Sequence, residues 1–208
     1  MTLTQTKPLT QNILSTYYRS NPQDKINGSN WYNRGHMICK VISNQYNIPL
    51  DTVVGVVSAL SPNNKWDRNI IDAENMIRAF CYEIDYPKVC TFGKQKDKAI
   101  QILECGYDNP KNISKQLNGL KTIAFYRGLA TDGKCDEITV DGHAFNIWNG
   151  HYTPLNKVKG ISPKLYLTIE NDYKIASKLI NQAEKTKYSP NQIQAITWVC
   201  HRRVNGIT

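Results

Sequence analysis

The segment QLNGLKTIAFYRGLATDGKCDEITVDGHAFNIW, Gln116–Trp148, decides how the fold is read. It runs as the end of one helix, an Asn118-Gly119 turn, a second helix, a polar loop, a short extended entry and a third helix. Asn-Gly marks a turn because both residues tolerate positive φ. A helix starting near Leu120 aims unpaired backbone N–H groups outward, which suits an anion. Lys121 falls in its first turn. Further on, the β-formers Ile138 and Val140 lead into Asp141 at the mouth of the next helix. An acid there caps the helix. An acid held in a low-dielectric cleft also does chemistry. The segment alone admits both readings.

Outward from it, helical patterns cover most of the chain. DRNIIDAENMIRAF places Ile70, Ala73, Ile77 and Phe80 on one face. KQKDKAIQIL offers Ala99, Ile102 and Leu103 to a core. NDYKIASKLINQAEK repeats the pattern with Ala176, Leu179, Ile180 and Ala183. SPNQIQAITWVCHRR opens with Ser189 as a cap and Pro190 at the first helical position. Further helices are expected within 9–20, 30–46, 51–60, 111–117, 120–130 and 142–150. Alternation of the strand type is confined to a few residues around Glu137–Val140. The expected fold class is all-α.

Composition restricts the partners. The 208 residues include four Trp and twelve Tyr, and 40% are hydrophobic, enough for a sizeable core. The formal net charge is +9, with Lys and Arg scattered along the chain, so a folded surface carries it. Such a surface attracts nucleic acid or anionic membranes. No stretch is apolar for long enough to span a bilayer, and MTLTQTKPLTQ lacks the apolar core of a signal peptide. Nucleic acid is therefore the better expected partner, with no membrane, and the cytoplasm the expected location. The six cysteines form no CxxC pair, and the closest two, Cys81 and Cys90, are nine positions apart. A zinc ribbon or local iron–sulfur motif needs tighter clustering. Neither a metal nor a cofactor is expected, the thiols being reduced and mostly buried. The four histidines are dispersed.

At this point a resemblance enters. LNGLKTIAF is similar to the LPGVGxKTA hairpin of the helix-hairpin-helix DNA glycosylases of the endonuclease III superfamily, and TVDGHAFNIW resembles their VDTH-like aspartate segment. VVSALSPNNKWDRNIIDAENM is similar to the family's LLSAQ-type helix and the loop that enters the minor groove beneath a flipped base. KQKDKAIQIL looks like the helix before the hairpin, and ITWVCHRR like the late helix. The resemblance covers residues 50–205. It is closest to small bacteriophage versions with a GxKxxAFYRxL…VTVDxHA pattern. The chain departs from the family in a shorter hairpin that keeps only Gly119, in Gly142 where threonine is usual, and in lacking the four-cysteine cluster loop. The resemblance implies a compact two-lobed helical body with a cleft between the lobes. Residues 1–208 then form a single monomeric domain, with the hairpin at about 111–130 and the aspartate segment at 138–150. The resemblance further implies double-stranded DNA as the partner and the cytoplasm of a bacterial or phage-infected cell as the location.

It also assigns roles. Breaking a base–sugar bond builds positive charge on the sugar, and a carboxylate stabilises it. Asp141 takes that role. A lysine amine can attack the sugar carbon to give a Schiff base, and Lys121 takes that one. A base must leave the stack before it reacts. In SPNNKWDR, Asn63 or Asn64 plugs the gap, Trp66 stacks, and Lys65 and Arg68 meet phosphates. Asn118 and Gly119 form the phosphate-facing turn, and His143 orients Asp141 or meets a phosphate. Each has an ordinary alternative: a helix cap for Asp141, a solvated or phosphate-binding lysine for Lys121, a core ring for Trp66, a packed histidine for His143. The expected activity is a DNA N-glycosylase, with or without lyase action. The alternatives are a DNA-binding protein that has lost catalysis and a phage enzyme acting on modified-thymine nucleotides or bases.

Overall fold

A computed structural model of the chain describes residues 8–105 and 109–207. The protein is all-α, with no β-strand among the described residues. In chain order the helices are α1 (Pro8–Tyr18), α2 (Pro22–Ser29), α3 (Trp31–Tyr46), α4 (Leu50–Leu60), α5 (Trp66–Cys81) and α6 (Gly93–Glu104). There follow α7 (Pro110–Leu117), α8 (Leu120–Ala130), α9 (Gly142–Asn149), a 3₁₀ turn (Leu155–Lys157), α10 (Pro163–Glu184) and α11 (Pro190–Val204). No helix among the described residues is long and apolar enough to cross a membrane. The chain forms two compact units, one from residues 1–32 and 133–208 and the other from residues 33–132.

In the first unit, Ile13 and Tyr17 of α1, Ile147 of α9, Tyr173 of α10 and Ile193 of α11 lie in one buried cluster. Each fully buried side chain of this size contributes about 2 kcal/mol relative to exposure. α2 is the helix that the apolar pattern did not announce, because its one large apolar residue, Ile26, is 51% exposed. Local bonds and one close approach make it. Asn21 and Asp24 form a reciprocal capping box, and Pro22 fixes the first turn. Gly28 then lets α2 lie against the backbone of α11, where an added Cβ would stand 2.3 Å from Ile196 Cα. Arg203 of α11 closes the pair, donating from Nε at 3.0 Å and from Nη2 at 2.7 Å to the Asp24 carboxylate. Burial raises the Asp24 pKa, but the bonds from Arg203 and Asn21 outweigh it and hold the carboxyl below its usual value.

In the second unit, α4 is apolar on every side, and Thr52–Leu60 are all buried. Such a helix has to be surrounded, and α5, α6, α7 and α8 all pack on it. α6 buries Ala99, Ile102 and Leu103 as expected. α5 presents a rotated face: Asn69, Asp72, Ala73, Met76 and Ile77 are buried, whereas Phe80 is 37% exposed. Two polar residues on the inner face explain the shift. Asn69 donates to Val57 O at 3.0 Å, and Asp72 accepts from Cys90 N at 2.9 Å. On α10 the buried residues include Ala176 and Ile180, while Ala183 is exposed near the C-terminal end. That helix begins at the Ser162 cap, well before the stretch whose periodicity announces it. The cysteines divide evenly: Cys39, Cys135 and Cys200 are buried and Cys81, Cys90 and Cys105 exposed, all with free thiols. The expectation of mostly buried thiols is thus corrected, since these exposed three sit at or beyond helix ends.

Candidate active site around Asp141

The entry to Asp141 is extended but pairs with no strand. Its backbone groups bond to side chains instead. Tyr166 of α10 donates its hydroxyl to Ile138 O at 2.6 Å and accepts from Val140 N at 3.2 Å. Asn191 of α11 donates to Glu137 O at 3.1 Å, and the Tyr32 and Thr139 hydroxyls bond at 2.9 Å. Ile138 and Val140 are buried, so Asp141 emerges from a rigid stem. Removing the Tyr166 hydroxyl orphans one buried donor and one buried acceptor, each costing about 1 kcal/mol or more. Tyr166→Phe is therefore expected to lower stability by about 2 kcal/mol in urea unfolding. A loss below about 0.5 kcal/mol would show that the stem stands without this bridge.

Asp141 is half-buried and has extended backbone angles, φ −96° and ψ −176°, at the N-cap of α9. Its Oδ1 accepts from Ala144 N at 2.8 Å, the usual capping bond. Its Oδ2 accepts from Trp198 Nε1 at 3.1 Å. The capping reading thus holds as a fact of geometry, and one oxygen is engaged beyond it. Gly142 follows at a crowded spot, where a Cβ would lie 2.7 Å from Leu155 Cδ2. A threonine there would have to displace that side chain.

Trp198 belongs to a ladder of rings. It meets His143 edge-to-face with centroids 6.0 Å apart, and His143 meets His201 at 5.6 Å. Tyr152, 52% exposed, lies 6.0 Å from His201, and the Arg202 guanidinium sits 4.4 Å over the Trp198 ring. His143 itself is buried. It packs against Trp198, the residue whose indole donates to Asp141. Sequence reasoning gives Arg202 only an electrostatic role and misses Trp198 and His201. Their three- and four-residue spacing in ITWVCHRR, which puts them on one helix face, was the available signal.

Burial lowers the His201 pKa from 6.5, His143 lowers it further, and Asp141 acts in the opposite sense. The folded protein therefore prefers neutral His201. Between the depressed value and 6.5 the unfolded chain binds more protons, so this contribution to stability is complete above pH 6.5 and falls as pH drops below it. Unfolding at pH 7.5 and 5.5 checks this: wild type is expected to lose stability on acidification, and His201→Gln to lose less. Equal losses would remove His201 as the source.

The other sequence-assigned residues belong to the second unit. Asn63, at φ 60°, is exposed at the tip of the loop between α4 and α5. Asn64 is tied inward, donating to Asp72 Oδ2 at 3.1 Å. Arg68 Nε donates to Asp72 Oδ1 at 2.8 Å, and Thr91 Oγ1 to Pro62 O at 2.6 Å. Asp72 thus fastens the loop and leaves Asn63, rather than Asn64, projecting. Lys65 is exposed at the start of α5. Trp66 is half-buried and packs edge-to-face on Phe125 of α8 at 6.4 Å.

α7, Asn118-Gly119 and α8 form a helical hairpin. Asn118 takes left-handed angles, φ 48° and ψ 75°, and Gly119 has φ 158°. Lys98 donates to Leu117 O at 2.7 Å and closes the end of α7. A Cβ at Gly119 would touch nothing, so backbone conformation, not crowding, selects glycine. α8 starts without a side-chain cap, and Lys121 is exposed in its first turn. Among the described residues no group of three or more His, Cys, Asp or Glu is arranged to hold a metal ion.

No curated protein and no solved structure matches the chain. A family model does match residues 1–205, and the chain accordingly belongs to DUF7178, a family of unknown function.

Proposed function

We propose that the protein is a DNA N-glycosylase that flips a damaged or modified base and cleaves its N-glycosidic bond, with Asp141 as the carboxylate that faces the sugar cation. The observation that carries this reading is how Asp141 is held. Its two donors, the Ala144 amide and the Trp198 indole, are neutral, and the residue stays half-buried. They orient the carboxylate without cancelling its charge, which is what a transition state with oxocarbenium character requires. The net charge of +9, the projecting Asn63 and the uncapped start of α8 support DNA as the partner. Lys121 receives the amine role from the family resemblance alone. The protein acts as a monomer in the cytoplasm, without metal or cofactor.

A second reading has one observation in its favour. Asp141 caps α9, and a cap by itself accounts for an acid at this position. On that reading the protein binds DNA and cuts no bond. A panel of duplexes, each with one damaged or modified base, separates the two. Base release from one member supports the glycosylase. Tight binding across the panel with no release supports the binding protein. Affinity is expected to fall steeply with salt, the slope being about −0.9 per phosphate contacted. A flat dependence would remove both readings.

A further inference from the structure

At the end of the hairpin away from its turn, α7 and α8 border an open groove of about 530 Å³. α7 contributes Lys111, Ser114 and Lys115, α8 contributes Tyr126 and Arg127, and α4 contributes Asp51. Three cationic side chains therefore line a space with one carboxylate. That carboxylate is partly engaged, since Asp51 Oδ1 accepts the Tyr126 hydroxyl at 2.9 Å.

The placement of Lys111 is costly for α7 itself. The helix has eight residues, PKNISKQL, with two lysines and no acid. Lys111 stands in its first turn, where the positive end of the helix dipole disfavours a cation. Lys115, four positions later, stands in the last turn, where the dipole favours it, but the pair sets two like charges on one face. Both side chains are exposed. A cation at the wrong helix end and a like-charge pair on one short helix, beside a concavity, point to a ligand that reverses the cost. An oxyanion between Lys111, Lys115 and Arg127 does so, and the Ser114 hydroxyl is available to donate to it.

We propose that this groove is a phosphate-binding site, separate from the Asn118-Gly119 turn. The phosphate is either part of a DNA backbone or carried by a free anion. The proposal does not depend on base excision.

The test uses the full chain and two probes, a short labelled duplex and inorganic pyrophosphate, with Lys111→Gln/Lys115→Gln and Lys111→Arg/Lys115→Arg. Melting of each variant shows that the fold survives, and the Gln pair is expected to melt no lower than wild type. For a DNA phosphate, the Gln pair weakens duplex binding roughly tenfold at about 0.1 M salt and reduces the salt slope by about 1.8, while the Arg pair retains both. For a free anion, the Gln pair loses pyrophosphate binding and leaves the duplex slope unchanged. Wild-type binding of both probes by the Gln pair, or no wild-type binding of either, overturns the proposal. Loss of excision in an Asp141 variant without change in these titrations would concern the glycosylase reading alone.

Discussion

Asp141→Asn is expected to lower base excision about a hundredfold or more on a substrate that wild type processes. The substitution keeps size and capping ability, since Asn and Asp cap about equally well. It removes the charge set against the sugar cation. The fold bears a small cost, because wild-type Asp141 accepts from two donors, Ala144 N and Trp198 Nε1. An amide has one oxygen, and its NH₂ cannot accept. One donor therefore loses its partner, at about 1–2 kcal/mol. The melting temperature should fall by a few degrees, at roughly 2–4 °C per kcal/mol for a chain of this length. Normal excision by Asp141→Asn would leave the acid with its capping role alone. Lys121 is tested separately by borohydride trapping. A covalent protein–DNA adduct in wild type that Lys121→Gln loses would make it the nucleophile. If only the adduct is missing, excision uses water, and Lys121 is a phosphate or structural contact.

Gly28→Ala is expected to destabilise the protein by about 3 kcal/mol, against what helix propensity predicts. Alanine in a helix interior is normally better than glycine by about 0.5–1 kcal/mol. At Gly28 the added Cβ meets Ile196 Cα at 2.3 Å, Ile196 N at 2.5 Å and Ala195 C at 2.9 Å. These are backbone atoms of α11, with no rotamer to yield, so one helix has to move off the other. Overpacking of this kind costs about 1–3 kcal/mol and occasionally more. Moving α2 also strains the Arg203–Asp24 bonds. The midpoint should fall by roughly 6–12 °C. A rise in melting temperature would mean that α2 and α11 are not in this close contact.

What was legible in the sequence is local. The Asn118-Gly119 turn, the Ser189-Pro190 start of α11 and the Asp141 cap all appear where they were read. The short extended entry is extended, but its bonds come from Tyr166 and Asn191 rather than from a strand. α2 also carried its signal in Asn21, Pro22 and Asp24, which a search for apolar stripes passed over. Among the candidate DNA contacts, SPNNKWDR gave the loop but could not tell Asn63 from Asn64. Asp72, eight residues beyond Asn64, makes that distinction.

The all-α class, most helix starts and the acid at the mouth of α9 can be read from residue order alone. These follow from bonds and periodicities among residues within a turn or two of one another, which the order of residues specifies directly. Which face of α5 is buried, that Gly28 is a contact point, and that Asp141 has a second donor all depend on how distant helices pack. Asn69 and Asp72 are tolerated inside because Val57 O and Cys90 N arrive to meet them. Trp198 reaches Asp141 across 57 positions of sequence. A buried polar group is stable only when its partner is delivered. That delivery depends on where distant helices come to rest, which no local pattern encodes.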